Sequence, residues 1–535
     1  MPSIEIIIFL LVVIVAFSAI VERLRIPQSI MLVVAGLIIG FTPQLPNMVL
    51  QPDVVFLIFL PPLLFTAAWK LSWNDIKAEK RSVISLATGL VFFTTVAIAV
   101  VAHYFIPGFS WQLGFLLGAV ISPPDAVAAN SITKGLNLHK RVVTILEGES
   151  LVNDASALVA YRYAVASVVT GSFVFWEASI QFVLVAVGGV AVGLLVGWSL
   201  LWAHIRVRNN PTLEVALTLL TPYVAYLFAE HFHLSGVLAV VAAGLFLSFR
   251  SSEAFSFQTR IQANSFWETI EFLLNGFVFI LIGMQLPAIV ADLKQGSLIE
   301  AFGYGVLITT VAILVRIIWV FPGAYIPIWL SKKKHRDMVH LDWRYVAIIS
   351  WTGMRGVVSL ASALAIPLTL ANGKAFPQRD MILFITFTVI FLTLVVHGLS
   401  LRILIKFMKI TPDPAKELEE ENKIRKIIAT EALAYIDAKI VLLDIDEDAI
   451  ARLRSKYEIN LRSVSNTHGD GIKIESKANT LLMQYAMAQK DVLDFERSVL
   501  IRLHKHNKAA SEILKKIEYE MDIEESRVTE QMRRY

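Results

Sequence analysis

The chain has 535 residues, 56% of them hydrophobic, with 48 Lys and Arg against 44 Asp and Glu, a formal net charge of +4 and no cysteine; its mean hydropathy is +0.64. That hydropathy excludes an ordinary soluble globular protein of this size. The missing cysteine excludes disulfides and thiolate chemistry, and the near-balanced charge points to no nucleic-acid partner. Charge is unevenly placed, however: roughly half of all Asp, Glu, Lys and Arg follow residue 410. The sequence therefore predicts a polytopic membrane domain over 1–410 and a charged cytoplasmic tail over 411–535.

Thirteen segments are apolar for long enough to cross about 30 Å of hydrocarbon: 3–21, 28–42, 51–69, 82–104, 111–133, 141–168, 177–204, 213–230, 234–249, 267–287, 299–330, 345–368 and 381–408. The first has no basic stretch before it and no small-residue cleavage site after it, so it reads as a retained transmembrane helix rather than a signal peptide. Lys and Arg fall in alternate loops. One set holds Arg23, Arg25, Lys70, Lys77, Lys80, Arg81, Lys134, Lys140, Arg141, Arg206, Arg208, Arg250, Arg260, Lys332–Lys334, Arg336 and Arg344; the other holds Lys294, Lys374 and Arg379. This asymmetry assigns the first set to the cytoplasm, the N-terminus to the outside and the C-terminus to the inside.

Two spans are badly built as continuous helices. The fifth contains Ser122-Pro123-Pro124-Asp125, whose prolines remove backbone donors; the twelfth contains Thr352-Gly353-Met354-Arg355-Gly356. Interrupted helices at membrane depth survive only where protein or a watery cavity satisfies the freed backbone. A matched pair of them marks a transport site between repeats. Their separation suits two six-helix repeats of inverted topology, spans 1–6 and 8–13.

The sixth span carries Glu149, Ser150, Asn153 and Asp154. Carboxylates at membrane depth are costly and mark ion or proton paths. At 100° per residue, Ser150 and Asp154 share a face, as do Glu149 and Asn153, and together they form a hard-oxygen cluster for a small cation or a proton. Asp154 is the candidate carboxylate that alternately holds the two. Asn153 orients the broken helix, and Ser150 either supplies a ligand oxygen or bonds back to its own helix. Glu149 needs a cation, and Arg316, isolated in an apolar stretch, would pair with it structurally. Asp125 and Arg355 are placed to neutralise the ends of the half-helices. Arg162, near a span end, reads as snorkelling. Asn275, His397 and Glu230-His231 either line a path or, the preferred reading, satisfy local bonds or sit at interfaces. No hydrolase or ATPase motif appears, so no enzyme activity and no cofactor are expected.

Gly148-Glu149-Ser150-Leu151-Val152-Asn153-Asp154-Ala155 resembles the signature of the monovalent cation:proton antiporters, the branch that includes the sodium/proton exchangers. Phe59-Leu60-Pro61-Pro62-Leu63-Leu64-Phe65, Ser122-Pro123-Pro124-Asp125, Phe272-Leu273-Leu274-Asn275-Gly276 with Ile282-Gly283, and Gly353-Met354-Arg355-Gly356 match further family segments in order over most of 1–410. The resemblance implies thirteen helices in a core and a dimerisation domain, two crossed broken helices, a homodimer and elevator-like alternating access. It also implies transport at Asp154, a Glu149–Arg316 pair and, from the Asn-Asp pair, electroneutral exchange. Pro124 replaces the family's threonine and Thr66 stands where many bacterial relatives have a glutamate; both bear on ion coordination.

In the tail, Ile424–Leu443 and Asn479–Tyr519 have helical apolar spacing, and Asn466–Gly471 reads as a turn. The function expected is secondary antiport of Na+ for H+ across the cell membrane, without cofactor. The alternatives are K+/H+ antiport, a cation or proton channel, and a sensor whose tail is the output. Na+, K+ or Li+, protons, the bilayer and a second copy of the chain are the partners expected.

Overall fold

The computed structural model describes all residues except 1–3, 25–26, 43–54, 126–137, 172–174, 208–209, 293–297, 331–341, 371–372, 409–413, 441–444, 466–478, 506–510 and 535. The described chain is helical; its only β pairing is a single bridge, Thr369 to Ala375. The second part of the predicted fifth span, Lys134, the basic cluster Lys332–Arg336 and the turn at 466–471 lie outside the described residues.

Among the described residues, seven helices are long and apolar enough to cross a membrane. They are α4 (Trp73–Phe105), α7 (Phe175–Arg206), α8 (Pro211–His231), α9 (Gly236–Ala254), α10 (Phe257–Asp292), α11 (Leu298–Leu330) and α14 (Arg379–Phe407). Shorter apolar helices are α1 (Ile4–Leu24), α2 (Gln28–Gly40), α3 (Phe56–Lys70) and α5 (Trp111–Ile121). α6 (Lys140–Thr170) is 31 residues long but carries too many charges to read as purely apolar. α12 (Trp343–Trp351) and α13 (Val357–Leu364) are the two halves of the interrupted span expected over 345–368.

Several helices outrun their apolar segments. α4 begins at Trp73, nine residues before the predicted span, and accommodates a π-helical turn at Ser85–Leu90. α10 begins at Phe257 rather than 267. Hydropathy marks only what contacts lipid, whereas the i→i−4 ladder continues into water as long as the residues favour it.

The chain forms two compact units: 1–201 with 218–248 and 266–412, and 202–217 with 249–265 and 413–535. The first has an extended apolar core running from Leu10 and Ile14 on α1, through Ile98, Leu116 and Ile145, to Ile382 and Leu394 on α14. It contains the broken helices. The second contains α15 (Pro414–Ala438), α16 (Glu447–Ser465), α17 (Asn479–Lys505) and α18 (Ser511–Arg534). Its core comprises Ile424, Val499, Leu500 and Ile517 in one cluster and Ile436, Leu453, Tyr457 and Val492 in another. Within this unit the buried Arg260 at the start of α10 donates to the Phe255 carbonyl (2.7 Å) and to both carboxylate oxygens of Asp522. Arg497 donates to Asp522 (2.9 Å) and Glu525 (2.5 Å).

Candidate ion site at the broken helices

α5 ends at Ile121, the Ser122 N–H caps it by donating to Gly118 O at 2.9 Å, and the chain continues unwound through Pro123-Pro124-Asp125. α12 ends at Trp351, and residues 352–356 are likewise unwound before α13. Pro123 and Pro124 explain the first break, since neither has an N–H. At the second, Gly353 and Gly356 allow close approach. A Cβ on Gly356 would overlap the Asp125 carboxylate, and one on Gly353 would lie 2.7 Å from Cδ of Arg316.

The two unwound segments bond directly to each other: the Asp125 N–H donates to the Met354 carbonyl at 2.7 Å. Each also carries the charge that its neighbour's helix end requires. The Arg355 guanidinium is buried and donates through Nε to Ile121 O (2.5 Å), at the C-terminus of α5, and through Nη1 to Gly353 O (2.6 Å). The Asp125 carboxylate lies against Gly356, the N-cap of α13. A cation therefore meets a negative helix end and an anion a positive one. The Arg355 N–H donates to Thr393 Oγ1 on α14 at 3.1 Å, fixing the unwound strand to a continuous helix.

α6 passes beside this crossing. Asn153 is fully buried, and its Nδ2 donates to the Pro124 carbonyl at 2.8 Å. This satisfies an acceptor that a continuous helix would have paired. Asn153 Oδ1 has no hydrogen-bond donor among the described residues. Asp154 is 8% exposed, and Asp125 is near enough for the two carboxylate charges to act on each other. Ser150, one turn earlier, is half-buried. Thr66 on α3, which packs against α6, is buried with its hydroxyl donating to Pro62 O at 2.8 Å.

Glu149 and Arg316 lie behind these groups, each side chain 2% exposed. Arg316 donates to Oε1 at 2.5 Å, to Oε2 at 2.8 Å and, through Nε, to Ile349 O at 3.1 Å near the end of α12. One guanidinium thus ties α6, α11 and α12 together. Pro124, Asp125, Asn153, Asp154, Gly353, Arg355 and Gly356 share one neighbourhood, with Glu149 and Arg316 on its flank.

Thr393 escaped sequence reading, because a threonine in an apolar helix ordinarily bonds back to its own turn. It does so to Ile390 O while also accepting from Arg355. His397 is buried beside the Trp351 ring, with neither ring nitrogen hydrogen-bonded among the described residues. Arg162, expected to snorkel, donates to both oxygens of Glu230.

Residues 7–407 match the model of the transmembrane sodium/hydrogen exchanger family. The chain belongs to that family. It is 31% identical over 548 residues to an uncharacterised Na+/H+ exchanger of Escherichia coli, covering 98% of each chain. It is 33% identical over 408 residues to a sodium, potassium, lithium and rubidium/H+ antiporter of Bacillus pumilus, covering 74% of this chain and 60% of that one. The solved sodium proton antiporter of Methanocaldococcus jannaschii shares the fold, with a TM-score of 0.59 and 21% identity over 75% of this chain and 97% of that one. The protein is therefore an antiporter-family membrane transporter and not an enzyme.

Proposed function

We propose that the protein exchanges cytoplasmic Na+ for external H+ at Asp154, one cation for one proton. The carrying observation is the convergence of Asn153 and Asp154 on the unwound crossing. A buried carboxylate stands there beside the unwound backbone, whose Pro124 carbonyl accepts from Asn153, and an amide oxygen that has no donor among the described residues. Such a carboxylate binds a cation or a proton but not both, and that exclusion couples the two fluxes. Asn153 holds the first break in place, Ser150 and backbone oxygens complete the cation's shell, and Asp125 and Arg355 neutralise the half-helix ends. Glu149 and Arg316 keep the bundle rigid and do not bind the ion.

In this reading residues 1–410 form the exchanger domain, with thirteen crossings in two inverted six-helix repeats, the N-terminus outside and the C-terminus in the cytoplasm. Residues 411–535 form the appended cytoplasmic tail, and the working unit is a homodimer in the cell membrane. K+/H+ exchange is the second reading. It is favoured by the relative named for sodium, potassium, lithium and rubidium and by Thr66, whose hydroxyl is bonded to Pro62 O, standing in place of a carboxylate on a helix that packs against α6.

Proteoliposomes with an imposed pH gradient test both. Cation-driven proton flux that is insensitive to a voltage clamp and absent in Asp154→Asn is expected, with a cation affinity that weakens as pH falls. Ranking Na+, K+ and Li+ selects between the two readings. Full cation-coupled flux in Asp154→Asn refutes the assignment, and uncoupled flux of one ion indicates a channel.

A further inference from the structure

We infer that the Arg162–Glu230 ion pair is a latch that holds the site-bearing helices against the rest of the membrane domain at the outer end, and that its release exposes the site outward. The inference rests on the antiport reading, which requires the site to open to one side at a time.

Close glycine contacts, together with the side chains around Trp267, divide the membrane helices into two sets. α4, α5, α6 and α11–α14 are stitched to one another: Gly114 and Gly118 seat α5 on α4, Gly148 seats α6 on α4, and Gly305 seats α11 on α14. α1, α2, α3 and α7–α10 form the other set: α2 meets α10 through Gly36, α7 meets α9 through Gly193 and α9 meets α3 through Gly244, while Trp267 ties α10 to the rest by packing on Phe65 of α3 and donating to Thr218 Oγ1 of α8 at 3.1 Å. The nearest neighbours of every described glycine with a close contact lie in its own set. A Cβ-less contact lets backbones touch, and in this inference each set moves as one body. No described glycine packs across the boundary; it is crossed by side chains, among them Tyr163, whose hydroxyl donates to Gln181 Oε1 on α7 at 2.6 Å, and Phe92, whose ring meets Phe182. α6, with Asp154, lies on that boundary against α3.

Arg162 is eight residues beyond Asp154 on α6, about 12 Å along the helix axis. Its Nη2 bridges the Glu230 oxygens at 3.0 and 2.8 Å. Glu230 ends α8 in the other set and is held there independently, since it accepts from the Gly236 N–H at 3.3 Å. The pair therefore crosses the boundary, with its acceptor fixed to one body and its donor carried by the other. It lies toward the ends of α6 and α8 remote from Lys140, Arg141 and Arg206, and so at the outer face by the Lys/Arg asymmetry. The side chains are 50% and 30% exposed, so water can replace the bond at little cost, as a reversible latch requires.

The absence of cysteine supplies the test. Ala157 is 2% exposed and lies one turn outward of Asp154. Ala157→Cys in the otherwise unaltered full chain, treated in right-side-out vesicles with a membrane-impermeant maleimide, reports outward opening without any transport. Adding Glu230→Gln or Arg162→Gln should raise the labelling rate roughly two- to fivefold, the range an exposed ion pair supports. Arg162→Lys, which keeps the charge and leaves the bond between Glu230 and the Gly236 N–H in place, should stay near the rate of the parent. An unchanged rate in Glu230→Gln, or labelling in Arg162→Lys as fast as in Arg162→Gln, overturns the inference. Because labelling needs no flux, this failure is separate from a failure of the antiport reading.

Discussion

Replacing Glu149 by Gln tests whether the buried ion pair is structural. Arg316 makes two charge-assisted bonds to Glu149, at 2.5 and 2.8 Å, and a third bond to Ile349 O, with both side chains almost wholly buried. Removing the carboxylate charge strands a guanidinium in the interior, near a second one on Arg355. Breaking one side of such a pair costs about 3–5 kcal/mol. Removing both charges, as in Glu149→Met with Arg316→Met, should restore much of that stability, because a buried pair and an apolar replacement are close in free energy. The double variant keeps the penalty of an unpaired Ile349 carbonyl, about 1–3 kcal/mol. Unfolding in mixed micelles followed by fluorescence of the 11 tryptophans measures wild type, Glu149→Gln, the two single Met variants and the double variant. The expected order is wild type, then double variant, then Glu149→Gln, with strong non-additivity. A Glu149→Gln cost below about 1 kcal/mol, or a double variant as unstable as the sum of the two single changes, refutes the reasoning.

Gly356→Ala places a methyl group in the volume of the Asp125 carboxylate. The resulting overpacking costs about 1–3 kcal/mol and should reduce cation-driven flux, whereas Gly303→Ala, with nothing within 4 Å of the new atom, should leave flux unchanged. Equal flux in the two variants counts against the close crossing. In the tail, burial pushes Glu496 up from its ordinary value to about 7, against the opposing charge of Lys456. The folded carboxyl thus binds protons more tightly than the unfolded one, so its contribution is full below about pH 4.5 and is lost as pH rises through 7. Hydrogen exchange of α16–α18 in the full-length protein should show stability declining from pH 5 to 8, and Glu496→Gln should flatten that slope; an identical slope in the variant refutes it.

Legibility in the sequence followed physical cost. Asp154, Glu149 and Arg316 stood out because an ionised group in an apolar segment demands a reason, and two isolated opposite charges demand each other. The breaks at 122–125 and 352–356 were legible because proline and glycine act locally, through a missing donor and a missing side chain. What could not be read was anything that depended on which helices meet. Thr393 has the same local chemistry as any back-bonding threonine, and only the proximity of α14 to the unwound strand distinguishes it. The early starts of α4 and α10 were hidden because residues such as Arg260 favour helix while failing any hydropathy criterion.

Arg162 and Glu230 show where the reasoning from isolated charges stops. Each lies near the end of its helix, where a long side chain reaches water at little cost, so neither requires a partner, and their sequence separation carries no hint of contact. Glu149 and Arg316 differ in one respect: neither has that escape. Burial therefore makes a pair both readable and permanent, whereas access to water makes a pair unreadable and breakable. The charges that sequence identifies with least effort are consequently those that fix the bundle, and those that regulate its movement must be found in the folded molecule.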